Sequence, residues 1–307
     1  MSIQIVEYRK KLNSSNAKPR VSIIVPTFKH GEEPVRTIQK IVSIMQDNDE
    51  LIIVDQNVEY VDSWKLYRDD IIKKSNVRIL DLAPASTPLA RNVGGLAAKA
   101  DILLYLDDDM DVDSAVIENH LKYFEDINIG GVAGVIDGAY SVSSRPQYVK
   151  SAKGGNMSFR KSLFLNVKGF DTNINGNFSG EETEFCERIR LMDKRIIQGL
   201  DCLAFHRGPL EGGAGNQGVL TLDWYYKTYC NHFYWMLKRK GSAKFTRLPW
   251  HVLYLIRSFL PKKSELFSMK YIDLIFQAFL EGRKRAKEAD YRLLCWDEIK
   301  NNPALVP

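Results

Sequence analysis

The chain has 307 residues, 45% hydrophobic and 26% charged, a globular composition with material for one large core or two smaller ones. No apolar run approaches the roughly 18 residues of a membrane span, and Met1 to Arg20 is too polar for a secretory signal. The net charge of +5 is uneven: from Lys238 onward 15 Lys and Arg stand against 7 Asp and Glu, leaving 28 against 31 elsewhere.

Residues 1–20 read as a loose arm. Val21 to Val25 is a buried strand stopped by Pro26-Thr27. Val35, Ile38, Ile41, Val42 and Met45 recur at helical spacing. Glu50 to Val54 is a second strand ending on Asp55, followed by a helix through Trp64, Tyr67, Ile71 and Ile72. Val77 to Leu82 is a third strand, and Pro88 to Lys99 a helix. Ile102 to Leu106 is a strand that runs into Asp107-Asp108-Asp109. This alternation predicts an α/β fold with a mainly parallel sheet flanked by helices. Beyond it come a helix over Ala115 to Phe124, a glycine-rich strand from Gly130 to Ile136 and a polar loop, Asp137 to Lys150. Asn156 to Phe159 is a short strand, Thr183 to Met192 a helix, and Arg195 to Gly199 and Cys202 to Phe205 two short strands ending at His206. The glycines Gly212, Gly213, Gly215 and Gly218 mark a loop, after which the chain reads helical and aromatic.

The three acids carry the chemistry. Acids at the carboxyl end of a buried strand lie where open α/β sheets bind ligands. In an extended chain Asp107 and Asp109 would point to one side and Asp108 to the other. Same-side carboxylates repel unless a cation lies between them, and a hard divalent ion suits such oxygens. The alternation Asp107, Asp109, Asp111, Asp113 imitates part of a calcium loop, but Val112 stands where that loop needs glycine. Four scattered cysteines, Cys186, Cys202, Cys230 and Cys295, form no C-x-x-C pair. They read as reduced thiols of a cytoplasmic protein without a zinc site.

Seven segments, in order, resemble the family 2 glycosyltransferases. They are Val21-Ser22-Ile23-Ile24-Val25-Pro26-Thr27-Phe28, Ile52-Ile53-Val54-Asp55, Ala90-Arg91-Asn92-Val93-Gly94, Leu106-Asp107-Asp108-Asp109, Gly155-Asn156-Met157-Ser158-Phe159-Arg160, Gly169-Phe170-Asp171 and Gly180-Glu181-Glu182-Thr183-Glu184-Phe185. The resemblance implies the GT-A nucleotide-diphospho-sugar transferase fold over residues 21–220, with a nucleotide-binding half at 21–110 and an acceptor-binding half at 111–220. A helical, basic extension, 221–307, follows.

It also implies residue roles. Pro26, Thr27 and Asp55 would line the base and ribose pocket, with Asp55 accepting from a base N3–H. Arg91 would lie near base and diphosphate, with Asp108 at the turn on the donor side. Asp109 would bind Mn²⁺ or Mg²⁺, Asp107 ribose or metal, and His206 would be a further metal or diphosphate contact. Asn156 would touch the acceptor. Glu182, or Glu181, would be the catalytic base. The acid pair departs from the usual Glu-Asp by one methylene at Glu182, and Gln56 stands where many members carry a second acid. The glycine loop would fold over the donor and exclude water.

A sugar hydroxyl needs a base as it attacks, and a single base opposite the leaving group implies inversion. The tail lacks the Gln-x-x-Arg-Trp signature of processive relatives, so one sugar per encounter is expected, from a nucleotide sugar, UDP-linked by the Asp55 argument, to a glycan or lipid-linked acceptor of a surface polysaccharide. Met269, Ile272, Ile275, Phe276, Phe279 and Leu280, then Arg283-Lys284-Arg285, describe either an amphipathic helix on the inner face of a membrane or a core helix with a basic end. No nucleic-acid partner is expected. A nucleotidyltransferase would need a basic glycine-rich loop after the first strand, and Phe28 to Glu33 carries one glycine followed by two acids. A sugar-nucleotide-binding protein with a decayed site is the non-enzymatic alternative.

Overall fold

The computed structural model describes residues 3–8, 17–29, 31–57, 61–137, 145–174, 180–207, 222–238, 269–288 (backbone only for 269–272) and 296–305. Two compact units result. The first comprises Met1–Phe170, Glu182–Gly213 and Cys295–Pro307, and the second Asp171–Glu181 and Ala214–Leu294.

The first unit is built on one sheet. Its elements are β1 (Gln4–Tyr8), β2 (Ser22–Thr27), α1 (Glu33–Ile44), β3 (Glu50–Asp55), α2 (Asp62–Ile71), β4 (Val77–Ala83), α3 (Thr87–Ala97), β5 (Ile102–Leu106), β6 (Met110–Val112) and α4 (Val116–Lys122). Then follow β7 (Ile129–Ile136), β8 (Tyr148–Val149), β9 (Asn156–Arg160), α5 (Lys161–Asn166), α6 (Glu181–Arg190), whose first residue falls in the other unit, and β10 (Arg195–His206). The strand order is β1-β4-β3-β2-β5-β9-β7-β10-β6, with β8 on β10.

Strands β4, β3, β2 and β5 run parallel, joined by crossover helices. Every residue of β2, β3 and β5 is buried, which is why they read as continuous apolar runs and not as alternating ones. Burying each Ile or Val in these strands stabilises the fold by about 1.5–3 kcal/mol relative to exposure. On α1, Pro34, Thr37, Ile38 and Ile41 form the inward stripe. Beyond β5 the sheet becomes mixed: β9 is antiparallel to β5 and β7, β10 parallel to β7, and β6 antiparallel to β10.

Three expectations change. The loose N-terminal arm contains β1, which pairs antiparallel with β4 from Gln4↔Ala83 to Tyr8↔Ile79. It was illegible because a five-residue edge strand with three exposed side chains has little apolar signal. The two short strands expected before His206 are one strand, β10, with a register irregularity between Gly199 and Leu203. The expected C-terminal extension is divided, because α9 (Trp296–Lys300) belongs to the first unit. There Trp296 packs edge-on against Phe164, with ring centroids 5.5 Å apart, and the Ile3 amide donates to Glu298 Oε1 at 2.9 Å.

The second unit pairs α7 (Leu222–Leu237) with α8 (Met269–Glu288). Tyr225, Tyr229, Cys230, Phe233, Met236 and Ala278 form its core. The amphipathic face predicted on α8 splits. Ile275 and Phe279 pack on α7, whereas Phe276 and Leu280 are exposed, as are Arg283 and Lys284. Within this unit Asp171 accepts from Tyr234 Oη at 2.8 Å and from Lys238. Burial pushes the Asp171 pKa up, but the Lys238 charge and these bonds outweigh it and hold the group below its usual range. Among the described residues no helix is long and apolar enough to cross a membrane. Cys186, Cys202 and Cys230 are buried free thiols, and burial pushes Cys186 and Cys202 up to about 12. Cys295 lies outside the described residues.

Candidate active site

The site lies along the carboxyl ends of the parallel strands. Thr27 and Asp55 end β2 and β3 as register partners, both buried. Thr27 Oγ1 has no hydrogen-bond partner among the described residues. Pro26 is buried beside it and has no backbone N–H to donate.

Asp55 departs from expectation. Trp64 Nε1 and Arg68 Nη1 each donate to its Oδ2 at 2.9 Å, and Asn57 donates to its Oδ1 through N at 3.1 Å and Nδ2 at 2.8 Å. A carboxylate has about four acceptor sites, so these donors leave none for a base N3–H. Asp55 instead ties the end of β3 to α2, with Arg68 also reaching Asp81 at 2.7 Å. Burial raises the Asp81 pKa against the opposing pull of Arg68.

Arg91 projects from α3, whose N-terminus is capped by Ser86 accepting from the Leu89 amide. Its guanidinium is 3% exposed. It donates from Nη1 to Glu182 Oε1 at 3.1 Å and reaches Asp107 Oδ1 from Nη2 at 3.5 Å. The Phe170 ring lies 5.7 Å from its Cζ. Phe170 is itself fixed by Asn92, which bonds both its amide and its carbonyl, at 2.7 and 2.8 Å.

The three acids do not continue the strand. Asp108 and Asp109 form a turn between β5 and β6, so the expected two-sided alternation is lost. The Asp107 side chain is 37% exposed and turned to Arg91, whereas that of Asp109 is 4% exposed and lies 3.0 Å from His206 Nε2. Asp108 is buried. His206 arrives by strand register, pairing with Met110 across β10 and β6.

The two acids of the pair differ in position. Glu181 opens α6 and is buried, while the Glu182 side chain is 13% exposed and faces Arg91. Asn156, expected at the acceptor, is fully buried. Its Oδ1 accepts from His120 Nε2 at 2.8 Å, and its Nδ2 donates to the Val135 and Cys202 carbonyls. It therefore cannot touch an acceptor; it closes a core network that includes His120 Nδ1 and Ser158 Oγ, 2.7 Å apart. The glycines Gly212, Gly213, Gly215 and Gly218 lie outside the described residues.

Residues that sequence reasoning missed complete the site. A Cβ on Gly154 would fall closer than 3.0 Å to both Arg91 Nη2 and Glu182 Oε1, and one on Gly155 would lie 2.9 Å from Asp107 Oδ2. The Gly154-Gly155 tandem before β9 was the available signal. Arg207 carried none, because its partner Glu33 lies 174 residues away.

Among the described residues no group of three or more His, Cys, Asp or Glu converges as a metal site. Asp109 and His206 together offer one carboxylate oxygen and one imidazole nitrogen at bonding separation. That donor set fits Mn²⁺ or Mg²⁺, ions held by one or two protein ligands plus substrate phosphates and water.

An open α/β sheet binds ligands in the crevice beyond the carboxyl ends of its strands, where these polar groups gather. The comparisons give the chain its family. Residues 22–199 match the profile described as glycosyl transferase family 2, more than half of the chain, and the chain belongs to that family. It is 31% identical over 143 residues to the poly(ribitol-phosphate) beta-N-acetylglucosaminyltransferase TarP of Staphylococcus aureus (strain N315), a match covering 43% of this chain and 40% of that protein. The matched part is thus less than half of the relative's length. The fold is similar to that of S. aureus TarS in complex with UDP-GlcNAc, at TM-score 0.60 and 16% identity, over 93% of this chain and 89% of that one. It is also similar to the mannosyltransferase PcManGT of Pyrobaculum calidifontis in complex with GDP-Man and Mn²⁺, at TM-score 0.56 and 14% identity, over 93% and 88%. Both share the GT-A fold expected from the sequence motifs.

Proposed function

We propose that this chain transfers one sugar per encounter, with inversion, from a UDP-sugar to a hydroxyl of a surface-polymer or lipid-linked acceptor. The observation that carries the reading is that Arg91 spans Glu182 and Asp107, while Asp109, two residues beyond Asp107, stands at bonding distance from His206. The names of TarP, acting on poly(ribitol-phosphate), and of TarS with UDP-GlcNAc support the donor and acceptor classes.

Glu182 takes the proton of the acceptor hydroxyl as its oxygen attacks the anomeric carbon. The bond from that carbon to the diphosphate breaks on the opposite face, and the nucleoside diphosphate leaves. Arg91 binds the diphosphate and holds Glu182 in place before the acceptor arrives. Thr27 and the β3 end fixed by Asp55 seat the nucleoside. Asp109 and His206 would hold Mn²⁺ or Mg²⁺, which when bound neutralises the charge growing on the leaving group. Positioned general-base help is worth about 10²- to 10⁴-fold in rate.

The test is a thermal-shift panel of nucleotide sugars with Mn²⁺, followed by a transfer assay on Glu182→Gln. UDP-sugars should raise the melting temperature of both forms, and the variant should lose about 10²-fold or more in turnover. Full turnover in Glu182→Gln would remove the base assignment, and the absence of any shift would remove the donor reading.

The exposed Phe276 and Leu280 beside Arg283 and Lys284 support peripheral contact with an anionic membrane. Equal liposome flotation with and without residues 238–307 would count against it.

A further inference from the structure

The backbone that carries the Asp109–His206 pair is tied to α1 and to the end of β10. Arg207 follows His206 directly, and its amide donates to the Asp109 carbonyl at 3.0 Å. Its Nε donates to Glu33 Oε2 at 2.6 Å, and its Nη2 to Thr37 Oγ1. Thr37 Oγ1 in turn donates to the Met110 carbonyl at 3.0 Å. Glu33 and Thr37 are four residues apart and so share one face of α1.

We propose that Arg207 is a positioning residue for the cation pair. With Glu33 and Thr37 it forms a tether that holds the Asp109 turn against the end of β10. The inference rests on the reading of Asp109 and His206 as cation ligands.

The geometry favours this over simple stabilisation. The Glu33 and Arg207 side chains are 20% and 24% exposed. The position of the pair is more sensitive than the fold. Both carbonyls of the Asp109-Met110 step are pinned by this one set of groups, at the point where His206 meets Asp109. Thr37 is fully buried and uses its one hydroxyl proton on Met110 and a lone pair on Arg207, so the linkage is continuous. On the far side the His206 amide donates to Asp137 Oδ1 at 2.7 Å, which fixes the strand end independently of Arg207. Loss of the tether should therefore loosen the Asp109 turn and leave β10 in place.

The experiment titrates Mn²⁺ into the full chain with UDP present and follows free Mn²⁺ by electron paramagnetic resonance. Arg207→Gln should bind Mn²⁺ about 10- to 100-fold more weakly than the wild type, the effect typical of residues that orient metal ligands. Arg207→Lys should fall between them, since it keeps the charge facing Glu33 and loses the planar fork that also reaches Thr37. Thr37→Val, which keeps the Arg207–Glu33 pair, should weaken Mn²⁺ in the same direction and carries the test if the Arg207 variants do not fold. Melting temperatures measured without metal should change little. Wild-type Mn²⁺ affinity in both Arg207→Gln and Thr37→Val would overturn the tether alone. A wild-type chain that takes up no Mn²⁺ would overturn the cation reading and the tether with it.

Discussion

Replacing Gly154 by alanine tests the site where it is tightest. The added Cβ would come closer than 3.0 Å to both Arg91 Nη2 and Glu182 Oε1. Both atoms are the far ends of long side chains, so the clash is relieved by moving them and not by moving backbone. Overpacking costs roughly 1–3 kcal/mol in a rigid core, and the lower end applies where flexible tips give way. The catalytic effect should be larger than the stability effect. The pair must shift by about 1 Å, and a misplacement of that size costs about 10²-fold in rate, equivalent to about 2.7 kcal/mol of barrier. The assay compares kcat/KM for transfer from a UDP-sugar with the melting temperature of the same preparation. Gly154→Ala should melt within a few degrees of the wild type and lose about 10²-fold in kcat/KM. Activity within threefold of wild type would refute the claim that Arg91 and Glu182 are held as a pair for catalysis.

Two further outcomes follow from the same geometry. Asp109→Asn should remove the Mn²⁺-dependent part of UDP affinity, measured by calorimetry with and without the ion; an undiminished Mn²⁺ effect would place the cation elsewhere. Burial pushes the His120 pKa down to about 4 against a smaller upward pull from Asn156, so the folded protein keeps this residue neutral while the unfolded chain protonates it below about 6.5. Its contribution to stability is complete above pH 6.5 and declines as the pH falls toward 4, by about 2 kcal/mol between pH 7 and pH 5. Urea unfolding should show a shallower pH dependence in His120→Gln than in the wild type, and parallel curves would exclude the residue as a source of acid sensitivity.

The strand framework around the candidate site was legible because its acids follow directly on apolar runs. Ile52 to Val54 and Ile102 to Leu106 are long enough apolar runs to be strands and are followed at once by acids. Their parallel pairing brings those acids to one edge of the sheet. What failed was the assumption that a polar residue at a strand end must face a ligand. Asp55 is surrounded by Trp64, Arg68 and Asn57, and Asn156 by His120, Val135 and Cys202. In both, the protein supplies the partners that the sequence reading had assigned to substrate.

The sequence by itself determined most of the elements, their alternation and the family, since apolar period and short motifs are local properties. The tertiary structure decided which polar groups meet. His120 and Asn156 are 36 residues apart, Arg91 and Glu182 are 91 apart, and Arg207 and Glu33 are 174 apart. No local pattern encodes such pairings. They arise because a buried polar group must find a partner, and which one it finds depends on how the strands and helices are stacked.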